Sequence, residues 1–287
     1  MTGQNISAGL VKRDQKPGTS SGALPVTNSL KLLYLFSLLI ALLIFITSVT
    51  SIINQDDIYP SEELLQAFLP NDIVNLLIGL PILLGSMWLA RRGNLIGLLF
   101  WPGAILFGLY NYIIYLFGMP FGVTFPFYLV IVTLSVYTEI ALVASIDGGV
   151  VKQRLAGKVP ERVAGGVLSV AGVAFGLLAM SVIVGALAND TALTKTESGL
   201  STADFILCVA WIIGGVMLWK RQPLGYVGGS GLLFILSMLF VGLLVVLLLQ
   251  PLLTDAPFSV TDVIAVFAMT AISFIPLILF IRGASRS

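Results

Sequence analysis

The chain has 287 residues, 57 % of them apolar and 10 % charged, with a mean hydropathy of +1.03 and a formal net charge of +1. A soluble domain carries about 25 % charged residues, so this composition excludes a water-exposed globule and defines an integral membrane protein. With no histidine and the single cysteine Cys208, there is no imidazole base, no His-ligated metal or haem, no internal disulfide and no iron–sulfur cluster, and no cofactor is expected.

Residues 1–29, rich in Gly, Ser, Thr, Pro and Lys, read as a flexible cytoplasmic tail. A bilayer-crossing helix needs about 20 mostly apolar residues, and eight such runs follow, at Leu30–Ile53, Asp72–Ala90, Asn94–Gly118, Phe125–Ile146, Val163–Ala188, Thr202–Trp219, Leu224–Leu249 and Val260–Ile281. The first begins too late and runs too long for a signal peptide and reads as an uncleaved anchor. The fold class is therefore all-α, an eight-helix transmembrane bundle.

Fourteen of the 15 basic residues fall on one side of these spans: Lys12, Arg13, Lys16, Lys31, Arg91, Arg92, Lys152, Arg154, Lys158, Arg162, Lys220, Arg221, Arg282 and Arg286, against Lys195 alone. The positive-inside rule makes that face cytoplasmic, with both termini inside and the protein in a cell membrane. There the 152–162 loop is expected to meet anionic lipid headgroups. Ten acidic residues, including Asp56, Asp57, Glu62, Glu63, Asp72 and Asp204, map outside. The outer acidic loop has no EF-hand spacing, and no metal site is assigned to it.

The halves 30–150 and 151–287 read as repeats. In each, the second span opens with an aspartate (Asp72, Asp204), ends in a Met/Trp-rich segment and a basic pair, and is followed by a Gly-xxx-Gly step, Gly93/Gly97 and Gly225/Gly229. Four spans per half makes the two repeats like-oriented, related by an axis along the membrane normal. The fifth span places Gly165, Ser169, Gly172, Gly176 and Ala179 on one face; Gly165, Gly172 and Gly176 mark close helix contact, and this span is expected at the bundle centre. The first span, bulky all round, is expected to face lipid. Pro102 predicts a kink in the third, and Tyr110, Tyr112 and Tyr115 beyond it suit an aromatic belt at the outer surface.

Glu139 is the one ionisable side chain that the hydropathy scan leaves well inside a span. Ser135 and Tyr128, at i−4 and i−11, share its helical face. A carboxylate at such depth is protonated, paired or facing water. It either donates as a neutral acid to a backbone carbonyl or lines a path for a solute or proton, with Arg91 or Arg92 the nearest cation candidates. Asn111 joins these residues as either an interhelical hydrogen-bonding group or a substrate contact. No constellation for covalent chemistry is visible, and an enzyme is not expected.

The run Met87–Arg92 with Gly93-Asn94-Leu95-Ile96-Gly97, continuing Trp101-Pro102-Gly103-Ala104 to Tyr110-Asn111-Tyr112, resembles a family of prokaryotic multi-pass membrane proteins of no known activity; residues 216–226 resemble its second half. The resemblance implies the duplicated topology and no mechanism. Two functions follow from the residues themselves. One is a transporter or channel for a small solute or ion using Glu139, Ser135, Tyr128 and Asn111. The alternative is a non-catalytic membrane scaffold or assembly subunit, whose glycine faces would hold a second copy or another membrane protein. Nucleic acid is not expected as a partner.

Overall fold

A computed structural model describes residues 24–286. The described residues are all-helical apart from one isolated antiparallel bridge, Val26 to Ile146. In chain order the helices are α1 (Lys31–Ile53), α2 (Gln55–Ile58), α3 (Glu62–Val74), a π-helical turn (Asn75–Gly79), α4 (Leu80–Arg91), α5 (Leu95–Gly118), α6 (Phe125–Ser145), α7 (Gly148–Leu155), α8 (Glu161–Ala188), α9 (Lys195–Trp219), α10 (Pro223–Leu253) and α11 (Val260–Ala284). Among the described residues, eight segments are long and apolar enough to cross a membrane, α3 and α4 forming one of them through the π turn.

Hydropathy locates the spans but misplaces the start of two. The second begins at Glu62 and the sixth at Lys195, ten and seven residues before the apolar runs begin. Capping explains both extensions. The Ser61 hydroxyl accepts from Leu64 N–H, and Thr194 and Glu197 form a reciprocal capping box, so orphan N–H groups of a polar first turn are satisfied. Asp72 and Asp204 therefore do not open their spans at the outer surface: each lies ten residues or nine residues along its helix and is buried.

The π turn has a local cause. Pro81 enters α4 at its first turn; it has no N–H for the carbonyl four residues back, and its ring clashes there. Widening the preceding turn accommodates it, and such π segments recur at functional sites.

The core runs along α5 and α10. Helix α5 packs on α4, α6, α9 and α10, and α10 packs on α3, α9 and α11 as well. Of the most apolar stretch of α5, 83 % is buried, against 17 % for α8. The fifth span is thus peripheral, contrary to the expectation drawn from its glycines. Its small face does make a tight seam, but with one neighbour. A Cβ at Gly165 would meet the Gly215 carbonyl at 2.5 Å, one at Gly172 the Cys208 carbonyl at 2.8 Å, and one at Gly176 the Cys208 Sγ at 3.1 Å. Small residues let two backbones approach in this way; on α9 the complementary residue is Gly215, where a Cβ would meet Ser169 and the Gly165 carbonyl, while Gly214 turns to Leu232 of α10.

Helix α1 is not lipid-facing all round: Ser37, Ile40, Ile44, Thr47, Ser48 and Ser51 turn inward, while Leu32, Leu35, Leu38 and Leu42 stay exposed. Of the expected tail, residues 1–23 lie outside the described residues, whereas the 24–29 stretch is pinned: Thr27 N–H donates to Ser145 O at 2.9 Å and Asp147 N–H to Pro25 O at 2.8 Å.

The α4–α5 and α9–α10 turns have the same hydrogen bonds. Gly93 N–H donates to Ala90 O and Asn94 N–H to Leu89 O; Arg221 N–H donates to Leu218 O and Gln222 N–H to Met217 O. The αL position is Gly93 (φ 80°) in one turn and Arg221 (φ 54°) in the other, as in a Schellman cap. Gly93 has open space around it, so it serves the turn and not a packing seam. Its counterpart is Arg221, and Gly97 corresponds to Gly225. Both press on the preceding helix end, Gly97 on Leu89 and Ala90, Gly225 on Met217 and Leu218. Gly229 sits one turn further on, a Cβ there falling 3.1 Å from Leu218.

Candidate functional site

The residues singled out around Glu139 do not assemble into one path. Tyr128 and Ser135 are buried on α6, and their hydroxyls have no hydrogen-bond partner; Glu139 is half-buried, and its Oε2 is likewise buried without one. Neither basic candidate reaches Glu139 as an ion-pair partner, and the Arg92 guanidinium lies 3.7 Å over the Trp88 ring instead, a cation–π contact. Asn111 stands apart from all three. Its Nδ2 donates within α5 to Phe107 O at 3.0 Å, so it is not an interhelical bridge, and its side chain lines a cavity that none of the other three touches.

That cavity, about 330 Å³, lies where α3 and α5 of the first half meet α8, α9 and α10 of the second. Its wall is mainly Phe68, Val74, Phe107, Phe175, Trp211 and Phe240. Into this apolar space come a few polar groups: Asp204, Tyr110, Asn111, Asn71 and Thr196. The Tyr110 hydroxyl donates to Asp204 Oδ1 at 2.8 Å, joining α5 to α9. Thr196 Oγ1 and Trp211 Nε1 are buried without partners. Exposed leucines line the cavity too, Leu178 at 57 %, Leu200 at 44 % and Leu243 at 43 %. They lie on the exposed apolar surface of the bundle, so the cavity is walled on that side by side chains that also form the outer surface.

Asp204 escaped the hydropathy scan as a site residue because its span was started at Thr202. The signal available in the sequence was the capping box Thr194-x-x-Glu197, which starts the helix earlier and draws Asp204 inward.

The second buried aspartate has its own surroundings. Tyr59 donates to Asp72 Oδ2, and Ser48 and Tyr115 stand beside the same carboxylate. Tyr112 hydrogen-bonds Thr47, and the Tyr115 hydroxyl donates to Phe68 O at 3.3 Å. The rings of Tyr112, Tyr115 and Tyr128 lie 5.2–5.7 Å apart. Tyr112 and Tyr115 are fully buried, so these two tyrosines of α5 are not an interfacial belt. They wall a polar chamber between α1, α3, α5 and α6.

At the basic end, Glu161 accepts from Tyr226 OH at 3.0 Å and from Gly157 N–H at 2.7 Å, and pairs with Arg221 at 3.5 Å. It ties the loop before α8 to the α9–α10 turn. No family model, curated protein or solved structure matches this chain.

Proposed function

We propose that the protein is a transporter for a small amphipathic solute, bound in the cavity between two like-oriented four-helix halves. The observation that carries this reading is the Asp204–Tyr110 pair facing a largely apolar cavity of about 330 Å³ at the junction of the halves. Ligand sites are concave, largely apolar and oriented by a few polar groups, within a range of about 300–1,000 Å³. A carboxylate whose protein partner is a neutral phenol favours a cationic or hydrogen-bond-donating end. The aromatic wall favours an apolar body, and the leucines shared with the lipid-facing surface favour entry from the bilayer.

The duplication is supported by the matching turns and by the α5–α10 crossing. There Gly103 and Gly231, each nine residues beyond its N-cap, meet backbone to backbone. Such repeats place binding sites at their interface in many transporters. The basic ends, with α7 and its Lys152, are proposed to face the cytoplasm of a cell membrane and its anionic headgroups. In this reading the protein does no covalent chemistry, and Asp204 replaces Glu139 as the central carboxylate.

The test is binding of a fluorescent alkylammonium probe to purified protein in lipid nanodiscs. Asp204→Asn is expected to weaken binding by roughly 10–100-fold, the loss of a charged hydrogen bond. Leu239→Trp, which fills the cavity, is expected to abolish it. Unchanged affinity in both folded variants would remove the cavity from consideration.

A further inference from the structure

We propose that Asp72 and the hydroxyls around it form a binding site for a monovalent cation, separate from the solute cavity. Asp72 is 1 % exposed, and the groups turned towards it are oxygens: the hydroxyls of Tyr59, Ser48 and Tyr115. Ser51 stands in turn beside Tyr59 and Tyr128, which extends the chamber by two more hydroxyls. Four elements contribute these groups: α1 (Ser48, Ser51), α3 (Asp72), α5 (Tyr115) and α6 (Tyr128), with Tyr59 from the link before α3.

The hydroxyls are under-used. Ser48 Oγ, Ser51 Oγ and Tyr128 OH are buried and make no hydrogen bond of good geometry, although each stands near other polar groups, Ser48 near Asp72 and Ser51 near Tyr59 and Tyr128. Leaving a buried hydroxyl unpaired is costly; Ser48 stands beside Asp72, with Ser51 and Tyr128 further along the same chamber, and a cation seated there gives their oxygens a partner. Hard oxygen donors select a hard cation. The charge count selects its valence. One carboxylate neutralises one positive charge, and no lysine or arginine is among the groups beside Asp72; a divalent ion would leave a buried net charge, whereas a monovalent ion leaves none.

The site also has a route to the rest of the molecule. Asp72 faces the chamber while its neighbour Asn71 lines the solute cavity, and the π turn begins three residues later. A cation held at Asp72 therefore fixes the helix that separates chamber from cavity.

The experiment is the thermal unfolding midpoint of the full chain in nanodiscs, titrated with NaCl or KCl against choline chloride at constant ionic strength and pH. The expected result is a saturable rise with one of the two metal cations and none with choline, since binding to the folded state alone stabilises it by mass action. Asp72→Asn is expected to raise the apparent Kd by about a hundredfold or more. Should that variant fail to fold, the double variant Ser48→Ala, Ser51→Ala, which removes two small unpartnered groups, is expected to raise it by about tenfold or more. Identical midpoints in all three salts overturn the proposal. So does a cation response that survives at unchanged Kd in either folded variant.

Discussion

The carboxylates Asp72, Asp204 and Glu139 lie well inside the long apolar helices but are not equally satisfied. Asp72 and Asp204 each accept a tyrosine hydroxyl, whereas Glu139 has a buried oxygen with no partner. A buried polar group that makes no hydrogen bond destabilises the fold, and replacing it by an apolar side chain of similar length is neutral or favourable. Glu139→Met is therefore expected to raise stability by about 1 kcal/mol, read as an increased unfolding midpoint in detergent. A fall would show that the carboxyl has a partner in the working protein. Sequence showed that Glu139 sits at membrane depth but not that its surroundings are unresponsive. Depth follows from counting residues along one helix, while hydrogen bonding depends on how neighbouring helices are rotated. Asn111 illustrates the other outcome: its position on α5 was plain, yet only the approach of α9 and α10 makes it a cavity residue.

The connecting turns separate conformational need from spatial need. Gly93 adopts φ 80° with nothing around it, while Gly85, inside α4, also has open space but no positive φ. A Cβ strains the left-handed region by about 1–2 kcal/mol, and glycine in a helix interior costs roughly 0.5–1 kcal/mol relative to alanine. Gly93→Ala is accordingly expected to destabilise by about 1 kcal/mol and Gly85→Ala to stabilise by about half that. Opposite shifts in unfolding midpoint would confirm the distinction; equal shifts would refute it. The element boundaries divide along the same line. Six of the eight spans begin within a few residues of their apolar runs, because lipid demands continuous hydropathy. The second and sixth begin earlier, since helix hydrogen bonding continues into polar turns once Ser61 and Thr194 cap them.

At the scale of the whole molecule, the halves are joined by a glycine contact. A Cβ on Gly231 would lie 3.0 Å from Gly103 N, and one on Gly103 would overlap the Gly231 carbonyl, whereas Gly228, three residues away, has free space. Overpacking of this kind costs typically about 1–3 kcal/mol, so Gly103→Val is expected to lower the unfolding midpoint clearly and Gly228→Val hardly at all. Both measurements use the same detergent-solubilised protein. In lipid this contact matters more than bulk hydrophobicity, because side chains leaving the bilayer gain little by meeting each other and backbone approach supplies the attraction.

The sequence by itself determined the membrane class and the number of spans, because a bilayer tests each helix one at a time against a single requirement of length and apolarity. Tertiary structure alone decided that α5 and α10 form the core and α8 the periphery, that Asp204 looks into an apolar cavity, and that Asp72 is ringed by hydroxyls. Those outcomes depend on the rotation of each helix about its axis and on which neighbour it meets. Apolar residues cover nearly every face of these helices, so hydropathy carries little record of either.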